Sequence, residues 1–188
     1  MSKAIFWHRR DLRIEDNAGL FKACQTAANV QPIFIFDTEI LNELERNDAR
    51  VEFIHNALQE LAKAYAKFGI FLRVEMGNPM DVIPTLAKEL GVDHVFTNRD
   101  YEPYALLRDK ALYDMLQSMG VGFSGAKDHV IFEKNEVMKG DGTPYTVFTP
   151  YSRKWKERLS QEPITLHDSK GALSRVQGID TAPKIPSL

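Results

Sequence analysis

Ala4-Ile5-Phe6-Trp7-His8-Arg9-Arg10-Asp11-Leu12-Arg13 is a short apolar run that ends abruptly in charge. Aromatic and β-branched side chains without polar alternation mark a strand buried on both faces, and the charges mark the loop that leaves it. Three further runs of this kind follow: Val30 to Phe36, Phe71 to Met76 and His94 to Asn98. Between them, apolar residues recur at helical spacing. Asp16-Asn17 caps a first helix that carries Leu20, Ala23 and Cys24 inward. A second is expected from about Asp48 to Phe68, with Phe53, Ala57, Leu58, Leu61 and Tyr65 on one face and Gly69 as its stop. Asn78-Pro79 opens a third that Gly91 closes. A fourth begins near Pro103, carries Leu106, Leu107, Ala111, Leu112, Met115 and Leu116, and stops at Gly120. With Val121 to Phe123 as a fifth strand, the pattern predicts an α/β fold. It is a Rossmann-like, doubly wound, five-stranded and mainly parallel sheet with helices on both faces.

After Gly120 the pattern loosens. Val130 to Phe132 and Gly140 to Phe148 read as irregular or hairpin structure around Asp141-Gly142. Thr149-Pro150 starts a short helix bearing Trp155 and Leu159. Pro163, Gly171, Gly178, Pro183 and Pro186 interrupt the rest, so residues 1–160 are expected to form the domain and 161–188 a linker or tail.

Bulk properties exclude several classes. With 24 Lys+Arg against 26 Asp+Glu, net charge alone suggests no polyanion partner. The one cysteine excludes an internal disulfide and a cysteine-based zinc site. No apolar run approaches the ~20 residues that cross a bilayer. Nor does a signal-peptide h-region precede Arg9. A soluble domain of a reducing compartment, with no membrane partner, is expected.

In a doubly wound sheet, ligands bind beyond the carboxyl ends of the strands, where strand order reverses. Those ends are Trp7-His8-Arg9-Arg10-Asp11-Leu12-Arg13 and Asn98-Arg99-Asp100-Tyr101-Glu102, joined by Phe36-Asp37 and by Arg50 after an acidic loop. Arginines there can hold anionic groups, Asp11, Asp100 and Glu102 can accept from ring N–H groups, and Tyr101 and Tyr104 offer stacking surface. No nucleophile or acid–base pair stands out. The set suits a planar polar heterocycle with an anionic tail. A salt-bridge and capping network among Arg9, Arg10, Asp11, Arg13 and Asp16 is the competing reading.

Other motifs carry less. Gly120-Val121-Gly122-Phe123-Ser124-Gly125 matches G-x-G-x-x-G but closes a helix and enters a strand, the reverse of a dinucleotide fingerprint. The five histidines show no metal-ligand spacing. Cys24 reads as core, and Arg153-Lys154-Trp155-Lys156-Arg158 as a solvated helix face rather than a nucleic-acid site.

Taken in order, four segments resemble the DNA photolyase and cryptochrome family. They are Trp7 to Asn17, Pro32 to Asp37, Asn98 to Tyr104 with Arg108-Asp109, and Pro144 to Tyr151 with Trp155. His8 and Tyr151 are mild departures, where phenylalanine is common in the family. The resemblance covers Lys3 to about Trp155 and implies the N-terminal α/β domain of a light-driven flavoprotein. Such a domain can hold an antenna chromophore, of folate, deazaflavin or FMN type, which passes excitation to FAD in a separate helical domain. That FAD repairs pyrimidine dimers in damaged DNA, a carbon–carbon lyase reaction. Carried over residue by residue, the antenna site comprises His8, Arg9, Arg10, Asp11, Phe36, Asp37, Arg50, Val51, Asp100, Tyr101 and Glu102. Glu102 is expected to meet a pteridine-like ring, Asp100 a deazaflavin-type ring, and Arg10 and Arg50 the anionic tail. The FAD-binding helical domain, and with it the DNA contact, is expected beyond Leu188, so no catalytic residue falls in this chain and it is not expected to repair DNA alone. The implied setting is a bacterial cytoplasm. The alternatives are the same domain of a cryptochrome photoreceptor, a free-standing nucleotide-binding module, or a docking domain with an empty pocket.

Overall fold

The computed structural model describes residues 2–45 and 47–182. Along the chain run β1 (Lys3–His8), α1 (Ala18–Thr26), β2 (Asn29–Asp37), α2 (Thr38–Leu41), α3 (Ala49–Ala66), β3 (Arg73–Gly77) and α4 (Pro79–Leu90). β4 (His94–Asn98), α5 (Pro103–Ser118), β5 (Gly122–Ala126), α6 (Phe148–Gln161) and α7 (Ser169–Leu173) follow. The strands form one sheet in the order β3-β2-β1-β4-β5, and every pairing is parallel. The α/β, doubly wound architecture is as expected.

Strand alternation distributes the core. On one face Ala4, Phe6, Val30, Phe34 and Phe96 pack under α1 and α3 against Leu20, Leu58, Leu61 and Tyr65. On the other, Ile5, Trp7, Ile33, Ile35 and Val95 meet Ile83, Leu86, Leu112 and Leu116 of α4 and α5. Both faces are apolar because helices cover both, which is why the strands read as continuous apolar runs. Cys24 lies in the first core beneath α1.

Expectations about two helix faces and the tail change. Phe53 is 73% exposed. α3 turns the stripe Ile54, Leu58, Leu61 and Tyr65 to the core, and Phe53, one position before it, falls about 100° away on a 3.6-residue helix. On α5, Leu106, Leu107 and Met115 are exposed and Ala111 lies outside the core, while Ala105, Arg108, Leu112 and Leu116 are buried. That stripe wins because it also seats Arg108 against two carboxylates, described below. Finally, part of the expected 161–188 linker belongs to the domain. The Ser169 hydroxyl donates to the Ile14 carbonyl (2.7 Å) and accepts from the Asn17 amide (3.0 Å), and Ala172, Leu173 and Val176 enter the first core. Gln177 bridges to Asn29, and the Asp180 amide donates to the Gln31 side chain at 2.8 Å. Pro183 to Leu188 of that expected tail lie outside the described residues.

β5 starts one residue later than the apolar run suggested, at Gly122, where a Cβ would overlap the His94 ring. Gly120, at φ +74°, ends α5 in the left-handed region. The glycine triplet is thus a helix stop and an edge strand. The segments around Val130 and Asp141-Gly142 form turns rather than a hairpin, and α6 spans 14 residues, longer than the short helix expected.

Candidate functional site

A crevice with a cavity volume of about 540 Å³ opens at the carboxyl end of the sheet, beside the β1–β4 switch point. That volume lies within the usual range for a small-molecule site. Its floor is Trp7, from the end of β1. The Arg9 and Arg108 guanidiniums lie over the indole, 5.0 and 4.7 Å from its centroid. Guanidinium planes favour an aromatic face, and here they tie β1 to α5.

Asp37 ends β2 on one wall. One carboxylate oxygen caps α2 at the Glu39 amide (3.1 Å), and the other accepts from the Tyr104 hydroxyl (2.8 Å) and from Arg108 (3.2 Å). Arg108 also meets Asp109 (3.1 Å), which accepts from Arg9 at 2.8 Å. The chain Tyr104–Asp37–Arg108–Asp109–Arg9 therefore links the ends of β1 and β2 to the first turns of α5. The other terminal nitrogen of Arg9 donates to the Asn98 carbonyl. Burial, reinforced by the bond to Asp37, pushes the Tyr104 phenol up to about 12, so it stays a neutral donor.

The rim is charged and open. Arg10 reaches Asp100 (3.1 Å) and Glu102 (3.8 Å), and its side chain is 63% exposed. Arg50 pairs with Asp48 at 2.6 Å and is equally solvent-facing. Burial works to raise the Asp100 carboxyl, but the Glu102 amide, Arg10 and the Tyr101 amide outweigh it and hold it below the usual carboxylate range. Both rim arginines keep exposed N–H donors in positions that an anion could share. The remaining wall is apolar: Phe36, and Ile40, Leu41, Val51 and Ile54 from α2 and α3.

The structure brings together nine of the sequence-selected residues: His8, Arg9, Arg10, Phe36, Asp37, Arg50, Val51, Asp100 and Glu102. His8 lies beneath the crevice with no solvent exposure. Its Nδ1 lies 3.0 Å from the Asp11 carbonyl and its Nε2 2.7 Å from the Tyr65 hydroxyl. A carbonyl only accepts, so Nδ1 carries the proton and Tyr65 donates to Nε2. Burial lowers the His8 pKa, and the neutral ring fits this bonding.

Two expected residues lie elsewhere. Asp11 is buried and turned inward, accepting from the Arg9 amide (2.8 Å), Asn17 (3.0 Å) and Asn98 (2.6 Å). It organises the loop, as the capping-network reading had it. Tyr101 donates to Glu133 at 2.7 Å and lines a separate, smaller concavity. Sequence reasoning placed Trp7 at the strand end but not among the chosen site residues, and missed Arg108. Arg108 was visible in the Arg108-Asp109 pair, but its inward turn was not. Among the described residues no group of histidine, cysteine, aspartate and glutamate could hold a metal ion, and no helix is long and apolar enough to cross a membrane.

Strand order and crevice position define a doubly wound α/β domain with an open, charge-rimmed crevice at its switch point. The chain belongs to the DNA photolyase family, whose model matches residues 4–168. It is 33% identical over 183 residues to a deoxyribodipyrimidine photo-lyase of Synechococcus sp., covering 97% of this chain and 38% of that protein. The chain thus spans about two fifths of the length of that relative. A crystal structure of a class III photolyase from Agrobacterium tumefaciens shares the fold over the whole chain and 37% of its own, with a TM-score of 0.80 at 24% identity. An archaeal photolyase from Sulfolobus tokodaii, solved with two FAD molecules, is 31% identical, with a TM-score of 0.62 over 71% of this chain and 32% of its own.

Proposed function

We propose that the crevice binds an antenna chromophore of the folate, deazaflavin or flavin class, and that the domain serves light-driven DNA repair as the light-harvesting part of a photolyase-type flavoprotein. The observation that carries this reading is the crevice itself. It has an aromatic floor, carboxylates on its wall and rim, and two exposed arginines at the mouth, with no nucleophile or acid–base pair. Those features suit recognition of a planar heterocycle, not turnover of a small metabolite. The Sulfolobus tokodaii photolyase, solved with two FAD molecules that imply a novel light-harvesting cofactor there, adds weight to a flavin.

In this reading Asp100 and Glu102 accept hydrogen bonds from ring N–H groups, and Arg10 and Arg50 face the anionic tail. Trp7, Phe36 and Tyr104 form the apolar bed, and the Asp37–Arg108 pair fixes it. The chromophore would supply near-ultraviolet or blue absorption and pass its excitation to an FAD held by a helical domain of the same protein, which would also contact damaged DNA. The lyase chemistry, and a location in a bacterial cytoplasm, are part of this proposal for the longer protein.

Titration of the purified chain with FMN, a reduced folate and a deazaflavin tests it. One of the three is expected to saturate near one equivalent, quench tryptophan fluorescence by way of Trp7, and raise thermal stability. At a hundredfold excess over Kd the gain is about 2.7 kcal/mol. Arg10→Ala combined with Arg50→Ala is expected to weaken binding about a hundredfold, since each charged hydrogen bond is worth ~1.5 kcal/mol, about tenfold. Saturation by none of the three overturns the reading.

A further inference from the structure

The 14 residues of α6 form a helix without one buried residue, and it makes no more than marginal contact with any other helix or strand among the described residues. A helix of that length is marginal in water by itself, so a packed face must stabilise it. The sequence provides such a face: Phe148, Tyr151, Trp155 and Leu159 recur at i, i+3, i+7 and i+11. Only part of it is covered. Phe132 packs edge-on against Trp155 (centroids 5.6 Å apart), and Tyr145 meets Tyr151 at 6.2 Å. At the N-terminal end Phe148 is 78% and Val147 60% exposed. Beside Phe132, Val130 and Ile131 are also open to solvent. Clustered exposure of this kind marks an interaction surface rather than ordinary surface scatter.

The flanking charge narrows the partner. α6 carries Arg153, Lys154, Lys156 and Arg158 against Glu157 alone. Lys154 pairs with Glu157 and Arg158 with Glu162, whereas Arg153 and Lys156 have no carboxylate partner among the described residues. A matching surface is apolar at its centre and acidic at its edge. Its source is suggested by the relatives: the Synechococcus photolyase extends far beyond the matched region, and α6 lies near the end of that region. We propose that the aromatic face of α6 docks onto an apolar, carboxylate-edged surface in the remainder of a photolyase-type protein, and that α6 is stabilised by that contact. This rests on the reading of the chain as one part of such a protein.

The test uses hydrogen exchange on the chain and on a chimera in which it replaces the matching portion of the Synechococcus photolyase. In the chain alone, α6 amides are expected to exchange about a hundredfold faster than those of α3, and Phe148→Asp to leave the thermal midpoint unchanged because the side chain is exposed. In the chimera, α6 gains about a hundredfold protection. Phe148→Asp abolishes that gain, whereas Leu107→Asp, equally exposed on α5, leaves it. Three results overturn the proposal: equal α6 protection in both proteins, a dimer of the chain that Phe148→Asp dissociates, or duplex DNA binding that requires Phe148. Chromophore titration is unaffected by Phe148→Asp, so the antenna reading fails or holds separately.

Discussion

At the scale of single residues, the loop after β1 is organised by a carboxylate that never reaches the crevice. Asp11, itself buried, satisfies the Arg9 amide and the Asn17 and Asn98 side chains. Asp11→Ala leaves three donors buried and unmatched and is expected to cost at least about 3 kcal/mol in chemical denaturation. Neighbouring His8 makes stability depend on pH with a definite sign. Its folded pKa lies below the ordinary 6.5, so as pH falls the unfolded chain takes up the proton first. Stability is then full above that value and erodes as pH drops from 6.5 toward the lowered folded value. Denaturation midpoints measured from neutral to mildly acidic pH are expected to fall. The fall is smaller in the His8→Phe, Tyr65→Phe double variant, which removes both partners together. His94, lowered mainly by burial, contributes what remains.

At the scale of elements, α4 shows the local rules acting alone. The Asn78 side chain accepts from the Met80 amide at 2.9 Å, Pro79 occupies the first turn, and Gly91 stops the helix at φ +61°. Asn78→Ala and Gly91→Ala are each expected to cost about 1 kcal/mol in thermal denaturation, additively, because the sites lie at opposite ends. These boundaries were legible because a cap is a local device. α5 was harder to read, since Leu106, Leu107 and Met115 compete with Leu112 and Leu116 for the inward stripe. What decides the contest is Arg108, whose buried partner Asp37 comes from a distant part of the sequence. The crevice follows the same division. Its rim could be read from charges clustered at strand ends, whereas its floor required knowing that Trp7 and Arg108 meet.

At the scale of the whole molecule, the domain is closed by residues that look like a spacer. Gly171, Gly178 and the prolines hide α7, because five helical residues give too little periodicity to detect. Yet Leu173, on a helix that packs against α1, is 1% exposed in the first core. Leu173→Ala is expected to cost about 2–4 kcal/mol, as in any well-packed core, measurable as a lower urea midpoint. A lone thiol adds a practical consequence. Cys24 is the only cysteine, and burial pushes its pKa up to about 12, so almost none of it is thiolate at neutral pH. The folded chain therefore has a silent background for maleimide chemistry. A cysteine placed at exposed Phe53 or Leu107 could carry a dye at one defined position, with no native residue to remove first.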